Sequence, residues 1–182
     1  SVLSVAEFAP PFGVFTRGIP DGAVFHAAFA GSALLSLTVG PEARPPFIEL
    51  GEGDVVLLAR GQGHTIVDHP ASTALHIAQL PRIEGVVPRL QGTSAKQPTT
   101  RIVCGMLRID HGSSRSLLSL LPPVLHHRAV DVDREAAEWV RSSARMLDVE
   151  LRRNHEGSRA IAGRLCEILF VQLLRTSRLE PK

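Results

Sequence analysis

The first 110 residues alternate between short apolar runs and turn-forming residues. Apolar or alternating runs occupy residues 13–17, 23–29, 33–39, 46–50, 54–58, 64–68, 74–79 and 101–109. Glycine, proline and aspartate separate many of these runs, for example at residues 18–22, 51–54 and 61–63. Short strands at near-even spacing, with no room for crossover helices, predict a sandwich or a small barrel.

One connection in this half is long. Residues 81–100 contain three prolines together with glycine, serine and threonine. Connections of this length are uncommon inside a compact domain and tend to be functional or disordered. The composition predicts a mobile surface loop.

The pattern changes after residue 110. Residues 114–121 predict a short helix that ends before Pro122, since proline breaks a helix. Apolar residues then recur every three or four positions over 132–152 and again over 158–178, which predicts an antiparallel helical hairpin. We therefore divide the chain into a β domain at 1–110 and a helical part at 111–182. The second helix is apolar on more than one side, and we expect three residues near its end to form a homodimer contact: Phe170, Leu173 and Leu174.

Composition and charge exclude several classes of protein. The chain is 44% hydrophobic, enough for a sizeable core, and its formal net charge of +2 does not suggest a nucleic-acid surface. No apolar run reaches the roughly 18 residues that a membrane-spanning helix needs. Two cysteines are too few for a disulfide framework, which predicts a reducing, cytoplasmic setting.

The most informative segment is GDVVLLARGQGHTIVD, residues 53–68. It resembles the second conserved motif of cupins, in which glycine, a proline–x–glycine turn and a histidine follow at fixed spacing. Gly53, Gly61 and His64 match this pattern, whereas Ala59 replaces the proline and Asp68 the final asparagine. The resemblance implies a turn at each glycine and a His64 side chain that points into the mouth of a barrel.

The first cupin motif is only partly present. His26 matches its first histidine and Gly40 its closing glycine, but Ala28 and Ala33 stand where the family has a second histidine and a glutamate. Two of the four usual metal ligands are therefore missing. Because catalytic metal sites normally keep three protein ligands, this departure argues against an enzyme.

The chain resembles one cupin subgroup more closely, the sensing domains of AraC-type transcription regulators. Five segments carry the resemblance in a fixed order: FHAAFAGSALL, GDVVLLARGQGHTIVD, RIVCGMLRIDH, LLSLLPPVLHH and LFVQLLR. It implies an all-β cupin barrel (a double-stranded β-helix, or jelly roll) followed by a C-terminal α-helical hairpin. It also implies that a helix-turn-helix DNA-binding domain, absent here, would begin soon after Pro181.

A metal site can be predicted from this resemblance. His26 and His64 occupy cupin ligand positions, and the subgroup places a Cys-Gly pair at Cys104. Two imidazoles and one thiolate suit zinc, with a fourth position open. His111 is a weaker candidate, and we expect His126 and His127 to lie on the surface or at the entry to a helix.

The sequence leaves the effector and the function class open. A predicted pocket lining of Val24, Ala28, Leu35, Leu37 and Ile66 suits a small, largely apolar ligand or only a metal, while a thiol beside imidazoles could serve as an oxidant sensor. We expect a non-enzymatic sensing domain that controls transcription. The alternatives are a small metal-dependent cupin enzyme, such as a dioxygenase or isomerase, and a stand-alone binding or storage module.

Overall fold

The computed structural model describes residues 2–20, 22–83, 85, 87–108, 120–130, 134–153 and 155–176. Within them lie twelve strands and two long helices, α1 (Arg134–Arg153) and α2 (Ser158–Thr176). The strands are β1 (Val2–Phe8), β2 (Gly13–Gly18), β3 (Gly22–Ala30), β4 (Ala33–Ser36), β5 (Phe47–Leu50), β6 (Val55–Leu58), β7 (Gln62–Val67), β8 (Leu75–His76), β9 (Arg82–Ile83), β10 (Arg89–Gln91), β11 (Thr100–Arg108) and β12 (Val124–His127).

The strands form two sheets. The larger sheet has the spatial order β12-β6-β3-β11-β1-β10-β9, and the smaller one has the order β5-β4-β7-β2-β8. Pairing is antiparallel except for β1 with β10 and β2 with β8. Over the described residues no strand is shared between the sheets, so the architecture is a two-sheet sandwich of mostly β structure followed by two helices. The closed barrel stays a prediction.

The larger sheet has two buried faces, because alternate side chains of a strand point to opposite sides. In β3, Val24 and Ala28 belong to the core between the sheets, whereas Ala23, Phe25 and Ala27 belong to a second core. The second core is completed by buried side chains of both helices: Val140, Leu147, Leu151, Ala162, Cys166, Leu169 and Leu173. The larger sheet is therefore sandwiched between the smaller sheet and the helices.

The two helices begin and end close to their predicted limits and pack against each other. The side chain of Glu150 accepts a hydrogen bond from the Ser158 hydroxyl (2.7 Å) across the turn between them. The residues predicted to form a dimer contact do not lie outside, which corrects that prediction. Leu173 is buried, and Phe170 and Leu174 are half-buried against the same core. Because both sides of α2 are apolar, periodicity alone could not select the side that faces the core.

Several strands lie where the sequence predicted none. β1 precedes the first predicted strand, at 13–17, and β9 and β10 lie inside the predicted loop at 81–100. β12 lies beyond residue 110 and pairs with β6, so the larger sheet extends past the predicted domain boundary. His126 and His127 consequently lie in a strand, and His127 is buried. Most of the predicted helix at 114–121 lies outside the described residues, and so does His111.

Candidate functional site: a buried histidine–histidine–cysteine chain

A cavity of ≈ 100 Å³ lies between the two sheets. Its walls come from β1, β2, β3, β7 and β11. Ile19 and Ile77 from connecting segments and Leu90 from β10 complete the lining. The polar side chains in its lining are Ser4, Thr16, His26, His64 and Cys104, and the remaining side chains are apolar. The site is thus a small apolar space with a few polar groups on its wall.

Strand register brings three of these polar groups side by side. In the larger sheet Ser4 of β1 lies opposite Cys104 of β11, and Cys104 lies opposite His26 of β3. Neighbours across a strand pair point to the same face of a sheet. His64 reaches them from β7 in the smaller sheet, so the cluster spans the space between the sheets.

Hydrogen bonds join these groups into one chain. His26 Nε2 lies 2.7 Å from His64 Nε2, and His26 Nδ1 lies 3.0 Å from Cys104 Sγ. His64 Nδ1 lies 2.9 Å from the carbonyl oxygen of Gln62, and Ser4, the strand partner of Cys104, interacts with the thiol. We call Ser4, Cys104, His26, His64 and the Gln62 carbonyl the polar chain.

The hydrogen-bond partners within the polar chain determine which nitrogen of each imidazole carries a proton. A carbonyl oxygen only accepts, so His64 Nδ1 carries a hydrogen and donates it to Gln62. In a neutral ring His64 Nε2 must then accept, and His26 Nε2 donates to it. His26 Nδ1 is left as an acceptor for the Cys104 thiol. Each imidazole nitrogen has one partner, and no donor faces another donor.

The electrostatics favour this uncharged state. Burial, and then the neighbouring His64, hold the pKa of His26 well below its usual value. Burial also lowers the pKa of His64, although its bond to the Gln62 carbonyl opposes the shift. For Cys104, burial raises the thiol pKa to about 12, against a smaller opposing effect of Ser4. At neutral pH both rings are neutral and the thiol is protonated.

The two glycines of the matched motif lie at the turns that hold His64. Gly53 has a φ of 87° and Gly61 a φ of 58°, in the left-handed region that favours glycine. A Cβ on Gly61 would also approach the carbonyl oxygens of Ile19 (2.5 Å) and Gly22 (2.8 Å). The close approach at Gly61 fixes the start of β7, and with it the direction of His64.

The predicted zinc ligands come together, but their donor atoms do not surround one point. His26 contacts His64 and Cys104 through opposite nitrogens of one ring, so a single ion bound to either nitrogen could not reach both partners. Two nitrogens on a tetrahedral zinc would stand about 3.3 Å apart, given zinc–nitrogen distances of about 2.0–2.1 Å. Within the described residues no group of three or more His, Cys, Asp or Glu is arranged to hold a metal. As placed, these side chains do not fit zinc, and the metal stays a prediction that requires His26 to turn.

The predicted pocket residues divide into three groups. Val24 and Ile66 line the cavity. Ala28 and Leu35 are buried in the core between the sheets without lining the cavity. Leu37 is 44% exposed and outside the cavity, which corrects its prediction: β4 ends at Ser36, so strand alternation no longer governs Leu37.

Sequence reasoning missed the contribution of β1. Ser4, Ala6 and Phe8 line the cavity, and their spacing of two residues is the signal that could have revealed a strand. The role of the Gln62 backbone carbonyl could not be read from side-chain identities at all. Asp54 and His126 form a further polar contact on the edge of the larger sheet, with His126 Nε2 3.4 Å from Asp54 Oδ2.

The helices lie directly behind the polar chain. Phe25 and Gly105 are the strand neighbours of His26 and Cys104, and they face each other across β3 and β11. A side chain on Gly105 would overlap the ring of Phe25, which is fully buried in the core shared with α1 and α2. Arg101, also on β11, pairs with Asp148 of α1 and with Glu7 of β1 (3.5 Å). Strands β3 and β11 therefore contact the cavity on one face and the core shared with the helices on the other.

Comparison with known proteins identifies the family. A family model described as cupin matches residues 1–177, nearly the whole chain, and the chain belongs to this family. The comparison with curated proteins gave no match. Across the described residues, no helix has the length and apolar character required to cross a membrane.

Proposed function

We propose that this chain is the effector-sensing domain of an AraC-like transcription regulator and that it works in the cytoplasm. The observation that carries the proposal is the shared larger sheet, with the cavity on one face and the helices on the other. His26 and Cys104 line the cavity, and their strand neighbours Phe25 and Val103 belong to the core shared with α1 and α2. Occupancy of the cavity would alter the packing of the helices, and through them a DNA-binding domain.

A regulator that reads paired half-sites needs two-fold symmetry, so we propose a homodimer. Its contact is the outer face of α1, where Trp139, Met146 and Val149 are exposed at spacings of seven and three, typical of helix-to-helix seams. Glu138 lies near the start of this face, and Arg152 and Arg153 lie at its end. A second copy in antiparallel orientation would place Glu138 and Trp139 against these arginines.

Sedimentation at micromolar concentration tests the dimer. We expect Met146→Glu to convert a dimer to a monomer, because it places like charges at the centre of the symmetric contact. The matched control is Val171→Ser, an equally solvent-facing position on α2, which should leave the dimer intact. A monomeric unmodified chain, or a dimer that survives Met146→Glu, would refute this contact.

DNA binding by the complete gene product tests the regulatory function. We expect it to retard a promoter fragment with paired half-sites in a gel, and we expect the 182-residue segment alone not to do so. The rival function, a metal-dependent cupin enzyme, has Ala28 and Ala33 in place of two ligands. We propose that the chain is not an enzyme. A gene product that does not bind DNA but turns over a substrate with Fe²⁺ or Zn²⁺ would reverse this assignment.

A further inference from the structure

The polar chain leaves the cavity with little hydrogen-bonding capacity for a ligand. Each nitrogen of His26 and His64 already has a partner inside the protein, and Cys104 both donates to His26 and interacts with Ser4. The hydroxyl of Thr16 is the remaining polar side-chain group in the lining, and it accepts a bond from the Gly18 backbone (3.4 Å). Apart from the Thr16 hydroxyl hydrogen, the polar side-chain hydrogens of the described lining are engaged within the polar chain, so a ligand that needs more than one donor would have to break existing hydrogen bonds.

The cavity also lacks a charged side chain. Its lining contains no Asp, Glu, Lys or Arg. An ionic ligand would lose its hydration and gain no countercharge, which is strongly unfavourable. The side chains that line the rest of the cavity are apolar, among them Val24, Ile66 and Ile102.

The volume of the cavity further restricts which molecules can bind in it. An engineered apolar cavity of about 150 Å³ binds benzene or xenon and otherwise stays dry. The space here is ≈ 100 Å³, which is of the same order, so it suits a small molecule of about the size of benzene. The bond from His26 to His64 links the larger sheet to the smaller one and holds these walls apart.

We propose that the effector of this domain is a small, uncharged, apolar molecule that enters the cavity and leaves the polar chain intact. The polar chain is a structural bridge between the sheets, and contacts to apolar side chains provide the binding free energy. This inference rests on the proposed sensing function and specifies the chemical class of its ligand.

Benzene is a suitable probe, and pyridine is its matched polar counterpart. Benzene is titrated into the purified domain while the δ1 methyl signals of Ile66 and Ile102 are followed by NMR. We expect saturable shifts of both methyl groups with a Kd in the millimolar range. Pyridine above pH 7 should bind at least threefold more weakly, since its nitrogen loses its hydrogen bonds to water and finds only the Thr16 hydroxyl as a side-chain donor outside the polar chain.

Two variants localise the binding. Ile66→Phe should weaken benzene binding at least tenfold, because it fills the cavity, whereas Leu37→Phe, outside the cavity, should leave it unchanged. If Ile66→Phe does not fold, Val14→Leu provides a second cavity-filling change at a half-buried position of the lining. Non-saturable shifts, or binding that is unaffected by these fillings, would overturn the proposal.

Zinc is the competing occupant. The domain is equilibrated with zinc sulfate, desalted and analysed for metal. We expect well below one zinc per chain, whereas one zinc per chain that is lost in both His26→Gln and Cys104→Ser would overturn the proposal. Tighter binding of pyridine than of benzene would also overturn it. These outcomes are independent of DNA binding, so a failure of the regulatory function and a failure of the ligand assignment can be distinguished.

Discussion

The two faces of the larger sheet are built from the same strands but differ in how their side chains pack. On the face toward the helices, Phe25, Val103 and Leu57 are fully buried, and a pocket of ≈ 290 Å³ lies further along this face, between Ala27, Val55 and α1. On the face toward the smaller sheet, Val24, Ile102 and Cys104 border a cavity. Around Phe25 the face toward the helices gains stability from close packing, whereas around His26 the face toward the smaller sheet gives up some packing to keep an apolar space open.

The difference depends on where polar groups are placed. Buried polar groups must find partners, and on the inner face they find one another across the gap between the sheets. The resulting chain fixes the distance between β3 and β7 without filling the space beside it. A purely apolar inner face would gain from collapse onto the smaller sheet, since each void loses van der Waals contacts. We therefore expect substitutions on the two faces to differ in cost, as follows.

Phe25→Ala should have the largest effect. The fully buried ring lies between Gly105 and the helices, and its removal leaves a cavity that the surrounding strands cannot close. We expect the free energy of unfolding to fall by about 3–5 kcal/mol in urea denaturation. Ile102→Ala, on the face of the larger sheet that borders the cavity, should cost clearly less, because its side chain already adjoins open space. Equal losses would show that the two faces are packed alike.

Arg101→Met should have the next largest effect. The Arg101 guanidinium is 12% exposed and pairs with Asp148, so its removal breaks the contact between β11 and α1. Hydrogen bonds to charged groups contribute about 1.5–3 kcal/mol, and we expect a loss of this size in the free energy of unfolding. The control is Arg164→Met, which removes an exposed ion pair to Glu167 and should change stability by less than about 0.5 kcal/mol. A loss no greater than that of the control would mean that this pair does not hold the helices to the sheet.

The pH dependence of the free energy of unfolding should reflect the three buried titratable groups between the sheets, His26, His64 and Cys104. The pKa values of His26 and His64 are lowered on folding, so the unfolded chain binds more protons below about pH 6.5 and stability falls as the pH decreases from there. The Cys104 pKa is raised to about 12, so stability also falls as the pH rises above about 9. Between these limits the three groups contribute no slope.

Unfolding measurements from pH 4.5 to 8 check the acid limb. We expect His64→Gln to make the decline below pH 6.5 shallower, because one buried neutral histidine no longer has to take up a proton on unfolding. His155→Gln, in the exposed turn before α2, should leave the decline as it is. An unchanged slope in His64→Gln would mean that the polar chain does not control the acid stability.

Val171→Ser should have the smallest effect. This side chain is 51% exposed on the side of α2 away from the core. Surface substitutions of this kind usually change stability by less than about 0.5 kcal/mol. Leu173→Ser, two residues further along α2, removes a buried side chain and should cost several times more in the same thermal or urea measurement. Similar effects at the two positions would contradict the assignment of the inner face of α2.

Much of the site was predictable because its residues follow a motif of fixed spacing. His64 stands a set distance after Gly53 and Gly61, and backbone geometry forces glycine at both turns, so local sequence carried the information. The two-residue spacing of Val24, His26 and Ala28 likewise marked one face of β3. The ends of α1 and α2 were close to their predicted limits because helical periodicity is a local property.

Other features depended on contacts between distant parts of the chain. The sequence showed that His26, His64 and Cys104 were candidates, but only the register of β1, β11 and β3 placed Ser4 beside Cys104 and left His26 with a different partner on each nitrogen. Periodicity could not select the inner face of α2, because the choice rests on which side meets the sheet. The identity of a side chain is known from the local sequence, whereas its hydrogen-bond partners and its burial depend on strands and helices that are far apart in sequence. For this protein the sequence determined the family motif and the chemistry available, and the tertiary structure decided which atoms of that chemistry meet.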